Sequence, residues 1–256
     1  MYDLITLGGI DLQRTESSAP HPLLGQRKRF ALLAYLALAR PRGIHRRSML
    51  LGLLWPELGA EHGRSALRQA VHGLRRSLGE KVIRSRGDEE IWLDGSVLSC
   101  DAVRFEEALG TGQLTHAVEL YQGPLLPGFY VDGASGFERW LEDERSRLRE
   151  RAVSAAWRLA GNAEVGGDLP AAVGWARLGV HHSEHDESSY RRLMAILARS
   201  GDRAGAIAAY LQLSRRLAHD FDCAPSAETD SLLRAIKSKT ASSLVTPPRP
   251  HSVTLQ

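Results

Sequence analysis

His62-Gly63-Arg64-Ser65-Ala66-Leu67-Arg68-Gln69-Ala70-Val71-His72-Gly73-Leu74-Arg75-Arg76-Ser77-Leu78 is the stretch on which the fold turns. Leu67, Ala70, Val71, Leu74 and Leu78 recur at helical spacing, so one face can pack on a core. Arg64, Arg68, His72 and Arg75 run along another face, three or four residues apart, with Ser65 and Gln69 beside them and no carboxylate between. A buried stripe backed by arginine, glutamine, serine and histidine is the chemistry of a helix laid into a DNA major groove. It also suits a solvated amphipathic helix whose arginines keep it soluble, so the neighbouring sequence has to decide.

Upstream, Tyr2–Leu7 is strand-like, stopped by Gly8-Gly9 and resumed at Ile10-Asp11-Leu12, with a loop over Ser17–Pro22. Gln26–Ala39 reads as a helix, basic at its start and almost wholly apolar after Phe30, hence buried. Arg46–Leu54 is a second, shorter helix closed by Trp55-Pro56, where proline removes a backbone donor and Trp55 is placed to seal a core. Downstream, Gly79 suits the C-cap of the basic helix. Lys81–Arg86 and Glu90–Leu93 are β-prone runs around Gly87-Asp88-Glu89, a hairpin signature. Three helices and then a hairpin is the layout of a winged helix-turn-helix, in which the third helix enters the major groove and the hairpin touches the backbone or minor groove.

From Asp101 the texture becomes helix after helix: Asp101–Leu109, Leu114–Tyr121, Phe137–Asn162, Asp168–His181, Glu187–Ser200, Asp202–Ala218 and Pro225–Lys237, with an apolar, proline-bounded loop at Gly123–Phe129. Gly167-Asp168-Leu169-Pro170-Ala171-Ala172 and Gly201-Asp202-Arg203-Ala204-Gly205-Ala206 align at an offset of 34. That is the period of tetratricopeptide repeats, whose paired helices pack closely at small residues such as Ala172 and Ala206. Trp157 and Trp175 fall at core-like helical positions. The organisation expected is therefore 1–98 winged helix, 99–238 helical repeat domain, and 239–256 a polar, proline-rich, disordered tail.

The chain has 256 residues and a net charge of +3, unevenly spread: +5 over residues 1–100 and −2 over the rest. A basic front suits an anionic partner. Arginine outnumbers lysine 29 to 4, a skew that a GC-rich genome also produces and that carries no weight here. No apolar run approaches the roughly 20 residues that span a membrane. Met1-Tyr2-Asp3-Leu4 lacks a secretory layout, and two distant cysteines, Cys100 and Cys223, make neither a disulfide framework nor a zinc pattern. A cytoplasmic, nucleoid-associated location is expected, with no membrane partner.

Three blocks carry a family resemblance: Leu23–Leu36, Leu53-Leu54-Trp55-Pro56, and Arg64–Arg76. With Cys100–Phe105, Tyr121–Gly128, Phe137–Leu141 and Ala224–Thr229 behind them, the sequence from about residue 4 to 237 resembles the AfsR/SARP transcriptional activators, whose second half is a bacterial transcriptional activator domain (BTAD). The resemblance implies a mainly α chain: an N-terminal winged helix-turn-helix of the response-regulator type, then an all-α, tetratricopeptide-like domain. It implies an activator that binds as a homodimer to promoter repeats in double-stranded DNA and engages RNA polymerase. Carried over by position, the recognition helix is His62–Leu78 and the wing Val82–Leu93. The expected DNA contacts are Arg64, Ser65, Arg68, Gln69, His72 and Arg75, with Arg84 and Arg86 on the backbone. Gly63 and Gly73 depart from a good helix, each costing about 1 kcal/mol relative to alanine. Gly63 can sit before the first turn; Gly73 has no reason visible in the sequence.

Other constellations give less. His181–Glu187 holds three imidazoles and three carboxylates, the makings of a zinc or nickel site, but adjacent histidines point apart and a polar turn between helices is expected. Glu142, Asp143 and Glu144 interleave with Arg139, Arg145, Arg147 and Arg149, the pattern of surface ion pairs on one helix rather than of acid–base catalysis. No nucleophile elbow occurs, and neither cysteine has a neighbouring histidine or a helix start to activate it. No enzymatic activity, cofactor or metal is expected. The alternative to a DNA-binding regulator is a helical-repeat scaffold that binds partner proteins and carries a non-DNA-binding winged helix.

Overall fold

The computed structural model describes residues 1–14 and 22–243, with side chains to 238; the expected loop at 17–21 and the end of the expected tail, 244–256, lie outside the described residues. The chain divides into two compact units, Met1–Ala155 and Ala156–Gln256. The boundary expected at 98/99 falls inside the first.

In the first unit β1 (Tyr2–Ile5) pairs antiparallel with β2 (Asp11–Arg14) and parallel with β6 (Leu98–Cys100). A 3-10 turn, Pro22–Gly25, leads into α1 (Arg27–Leu38). Phe30 and Leu32–Ala34 are fully buried on α1, as the apolar run requires. β3 (His45–Arg46), α2 (Arg47–Leu54), α3 (Ala60–Leu78) and the hairpin β4 (Ile83–Arg86) and β5 (Glu90–Leu93) follow. The second sheet has the order β3-β5-β4, so the short strand before α2 is tied to the wing. This is the expected winged helix-turn-helix. Trp55 is buried in its core.

The same unit continues through α4 (Asp101–Gly110), α5 (Leu114–Leu120) and the first part of α6 (Ser135–Val165). One hydrophobic core runs from Leu4 and Phe30 through Phe105, Leu125 and Leu126 to Phe137 and Leu148. The ion pairs expected along this helix form in part, Arg145 meeting the exposed Glu142 at 3.3 Å, but the charges around Glu144 also reach other elements. Glu144 is only 8% exposed, and Arg147 bridges it to Glu106, which also receives Arg42 at 2.6 Å and Arg151 at 2.9 Å. Arg145 donates to the carbonyls of Leu125 and Leu126 at 2.8 and 2.7 Å. Besides pairing along α6, these charges tie it to α4 and to the 125–126 loop.

The second unit holds the rest of α6, then α7 (Leu169–His181), α8 (Glu187–Arg199), α9 (Arg203–Phe221) and α10 (Ala227–Ser243). The repeated Gly-Asp has a local cause. Gly167 and Gly201 adopt φ of +78° and +84°, which end one helix, and Asp168 and Asp202 then cap the next by accepting from Ala171 and Gly205. Ala172 and Ala206 are fully buried where the helices meet. Trp157 is less buried than expected: it packs on the core's edge, donates to Ser189 at 3.3 Å and lies beneath Arg192. Trp175 is likewise only partly buried. No helix among the described residues is long and apolar enough to cross a membrane.

Candidate nucleic-acid interface

α3 starts at Ala60, two residues earlier than expected, so Gly63 lies inside the helix and is buried; a β-carbon there would meet Leu51 at 3.5 Å. Leu67, Ala70, Val71, Leu74 and Leu78 form the buried stripe, and Arg64, Arg68, Gln69 and His72 are exposed, with Ser65 half-buried. Arg64 and Arg68 make no ion pair or hydrogen bond among the described residues, so both guanidinium groups stand open to solvent.

Arg75 is placed differently. Its Nε and Nη2 donate to the Ile83 carbonyl at 3.0 and 2.9 Å, and Nη2 also to Ser85 Oγ at 2.8 Å. The guanidinium fork therefore pins β4 of the hairpin to α3. Arg84 donates to Asp94 at 3.0 Å, and Arg86 to Glu90 at 2.6 Å. Hydrogen bonds from Ser96, and then from Arg84, hold the Asp94 carboxyl down at about 2. Three of the eight expected contact residues thus have partners within the protein.

Others join from elements the sequence did not single out. A hollow of about 600 Å³ opens between the start of α2, α3 and the wing turn, and Arg46, Arg47, Arg64 and Arg68 all line it. Arg47 is held there by its backbone, whose N–H donates to Glu89 O at 2.8 Å, while its buried Nε has no hydrogen-bond partner among the described residues. Burial lowers the Arg47 pKa, Asp88 pulls the other way, and the charges of Arg75 and Arg68 lower it further. Four arginines outnumber the carboxylates of the hollow by one, a small positive excess that favours an anion there. The acid-free face is not quite acid-free: Glu61 in the first turn, with Asp88 and Glu89 of the wing turn, lines the same hollow.

Gly73 also finds its reason. A β-carbon there would fall 2.8 Å from the Arg29 guanidinium, so the missing side chain lets this α1 arginine lie across α3, anchored by Gln26. A helical wheel of α3 alone carries no trace of it.

The remaining clusters are accounted for locally. Asp186 caps α8 through Ser188 and Ser189, His185 meets Asp220 at 3.0 Å, and no group of three metal-binding side chains forms among the described residues. Cys100 does precede a helix, contrary to expectation, but burial and the Asp101 charge push its thiol up to about 12.

Residues 100–237 match the bacterial transcriptional activator domain family. Among solved structures, that of Mycobacterium tuberculosis EmbR in complex with a low affinity phosphopeptide superposes with a TM-score of 0.61 at 22% identity, covering 93% of this chain and 65% of that one. The likeness is one of fold, and this chain spans about two thirds of the EmbR chain. No curated protein matches. With the family matched over more than half its length, the chain belongs to the bacterial transcriptional activator domain family.

Proposed function

We propose that this protein is a transcriptional regulator of the AfsR/SARP type that binds double-stranded DNA by laying α3 in the major groove. Arg64 and Arg68 are the base-reading or phosphate-binding cations, with Ser65, Gln69 and His72 beside them. Arg46, Arg47 and Arg29 take flanking phosphates. The observation that carries this reading is the partition of the arginines: Arg64 and Arg68, facing outward on α3, have no partner among the described residues, while Arg75 is tied to the hairpin. An unpaired guanidinium is free to form the bidentate bond to guanine or phosphate that dominates such interfaces. Arg84 and Arg86, being paired to Asp94 and Glu90, contribute to DNA only by exchanging those partners.

The helical region then serves as the activating part, engaging RNA polymerase, and the protein works as a homodimer on promoter repeats in the cytoplasm, at the nucleoid. The family's activator domain over residues 100–237 supports this assignment. Selection from a random duplex pool with the full chain and with the Arg64→Ala/Arg68→Ala variant, at two salt concentrations, tests it. A spaced repeat enriched by the first and lost by the second, with affinity falling steeply as salt rises, is expected. Enrichment of nothing by either protein refutes it.

A further inference from the structure

The second unit carries a groove of its own. Helices α7, α8 and α9 leave between them a hollow of about 460 Å³. Its floor is apolar, with Val180, Leu193 and Leu197 each at most 5% exposed. Its walls carry Arg177, Arg215 and Arg216, and none of the residues lining it is acidic.

These cations differ in how far they are engaged. Arg216 meets Glu184 at 2.9 Å, and Arg177 meets Asp202 at a looser 3.6 Å. Arg215 donates to Leu211 O on its own helix at 3.2 Å and has no ion pair among the described residues. Tyr190 is fully buried at the groove, its hydroxyl beside the Arg216 guanidinium.

We infer that this groove takes an acidic peptide segment of a partner protein. An aliphatic side chain lies on the Val180–Leu193–Leu197 floor, and carboxylates meet Arg177 and Arg215. Peptide fits better than nucleic acid. Single strands bind by stacking bases on exposed aromatic rings, and here the lining holds only two rings, the buried Tyr190 and His181, which packs against His182 at 4.9 Å, while aliphatic carbon forms the floor. The inference goes beyond the DNA reading and does not depend on it.

The test uses the full chain and a short labelled peptide in which two leucines are flanked by aspartates and glutamates. A twin with asparagine and glutamine in their place is the control, and fluorescence anisotropy is the readout. Saturable binding is expected, weaker by about tenfold for the neutral twin and by about tenfold for the Arg177→Glu/Arg215→Glu chain. Thermal unfolding should stay unchanged; should that variant misfold, Arg177→Gln/Arg215→Gln takes its place. The Arg64→Ala/Arg68→Ala chain should bind the peptide as the wild type does. Four results would overturn the proposal: no saturation up to about 1 mM, equal binding of the two peptides, loss in the Arg64/Arg68 variant, or a DNA oligonucleotide held by this groove in place of the peptide.

Discussion

Replacing Arg75 with alanine separates two roles for the same residue. From its place on the basic stripe Arg75 is a DNA contact; in the structure it is a strut whose fork holds the Ile83 carbonyl and Ser85 Oγ. A hydrogen bond from a charged donor contributes about 1.5–3 kcal/mol net. The side chain is half-buried, so water can reach Ile83 O after truncation, and the lower part of that range applies: about 1.5–2 kcal/mol. For a unit of 155 residues this lowers the unfolding temperature by roughly 3–8 °C. Calorimetry of the full chain reads that shift, and hydrogen exchange over residues 81–93 should rise as the wing loosens. Arg75→Lys should behave almost as badly, because an ammonium cannot span carbonyl and hydroxyl together. The reasoning fails if wing protection and melting are unchanged while DNA affinity falls as far as in Arg68→Ala.

Asp101, 5% exposed, accepts from the Thr6 and Leu7 N–H groups at 2.8–2.9 Å and from Thr6 Oγ1 at 2.5 Å. Asp101→Asn turns a donor toward those donors and should cost about 2–3 kcal/mol in urea unfolding; a change below about 0.5 kcal/mol would show that the carboxylate is dispensable. Gly73→Ala should leave stability equal or raise it by up to about 1 kcal/mol, since only the mobile end of Arg29 stands in the way; a clear loss in thermal unfolding would mean that Arg29 cannot swing aside. His182 titrates at about 4, lowered by burial and by His181 against the pull of Glu184. Its unfolded form takes up a proton near the ordinary value of 6.5, so the second unit should lose stability as pH falls from about 6.5 to 4 and gain no further loss from this group below that. His182→Gln should flatten that stretch of the pH–melting curve, and an unaltered slope would assign it elsewhere.

Local physics was what the sequence could show. The Gly167-Asp168 and Gly201-Asp202 turns were legible because a left-handed φ and an N-cap are decided within four residues. The apolar stripe of α3 was legible for the same reason. The fate of its arginines was not: a helical wheel gives a direction, whereas the Ile83 carbonyl that takes Arg75 exists as an acceptor only once the hairpin has docked. Arg46 and Arg47 escaped notice because the strand that delivers them, His45–Arg46, is two residues long and has no periodicity to read. Glu144 looked like a surface charge because its alternation with arginine is local, and the Arg42–Glu106–Arg147 bridge that buries it closes over long sequence separations.

The same contrast bears on where the chain can be cut. The family match begins at residue 100, which invites expression of residues 99–256 alone. Physical contacts argue against it. The Leu126 N–H donates to Thr6 O at 2.7 Å and Gly8 N–H to Pro124 O at 3.0 Å, bringing the 123–126 loop onto the first strand's end. Gly8 and Gly123 face each other so closely that a β-carbon on Gly123 would lie 2.9 Å from Gly8 Cα, so two backbones meet where no side chain fits. Phe30 packs on Phe129 at 5.3 Å, and Tyr35 on Trp140 at 4.7 Å. Cutting at 98 removes β1 and α1 from this core, exposing Phe105, Leu125, Leu126 and Phe137, all now fully buried, and orphaning Asp101. Full burial of such side chains contributes about 1.5–3 kcal/mol each, of the order of a whole domain's stability when four are lost together. The truncated chain should therefore show rapid hydrogen exchange through α4, α5 and the start of α6 while α7–α9 stay protected. Native-like protection of α4 and α5 in that fragment would mean that the helical region completes its own core, and that the strand contacts are accessory.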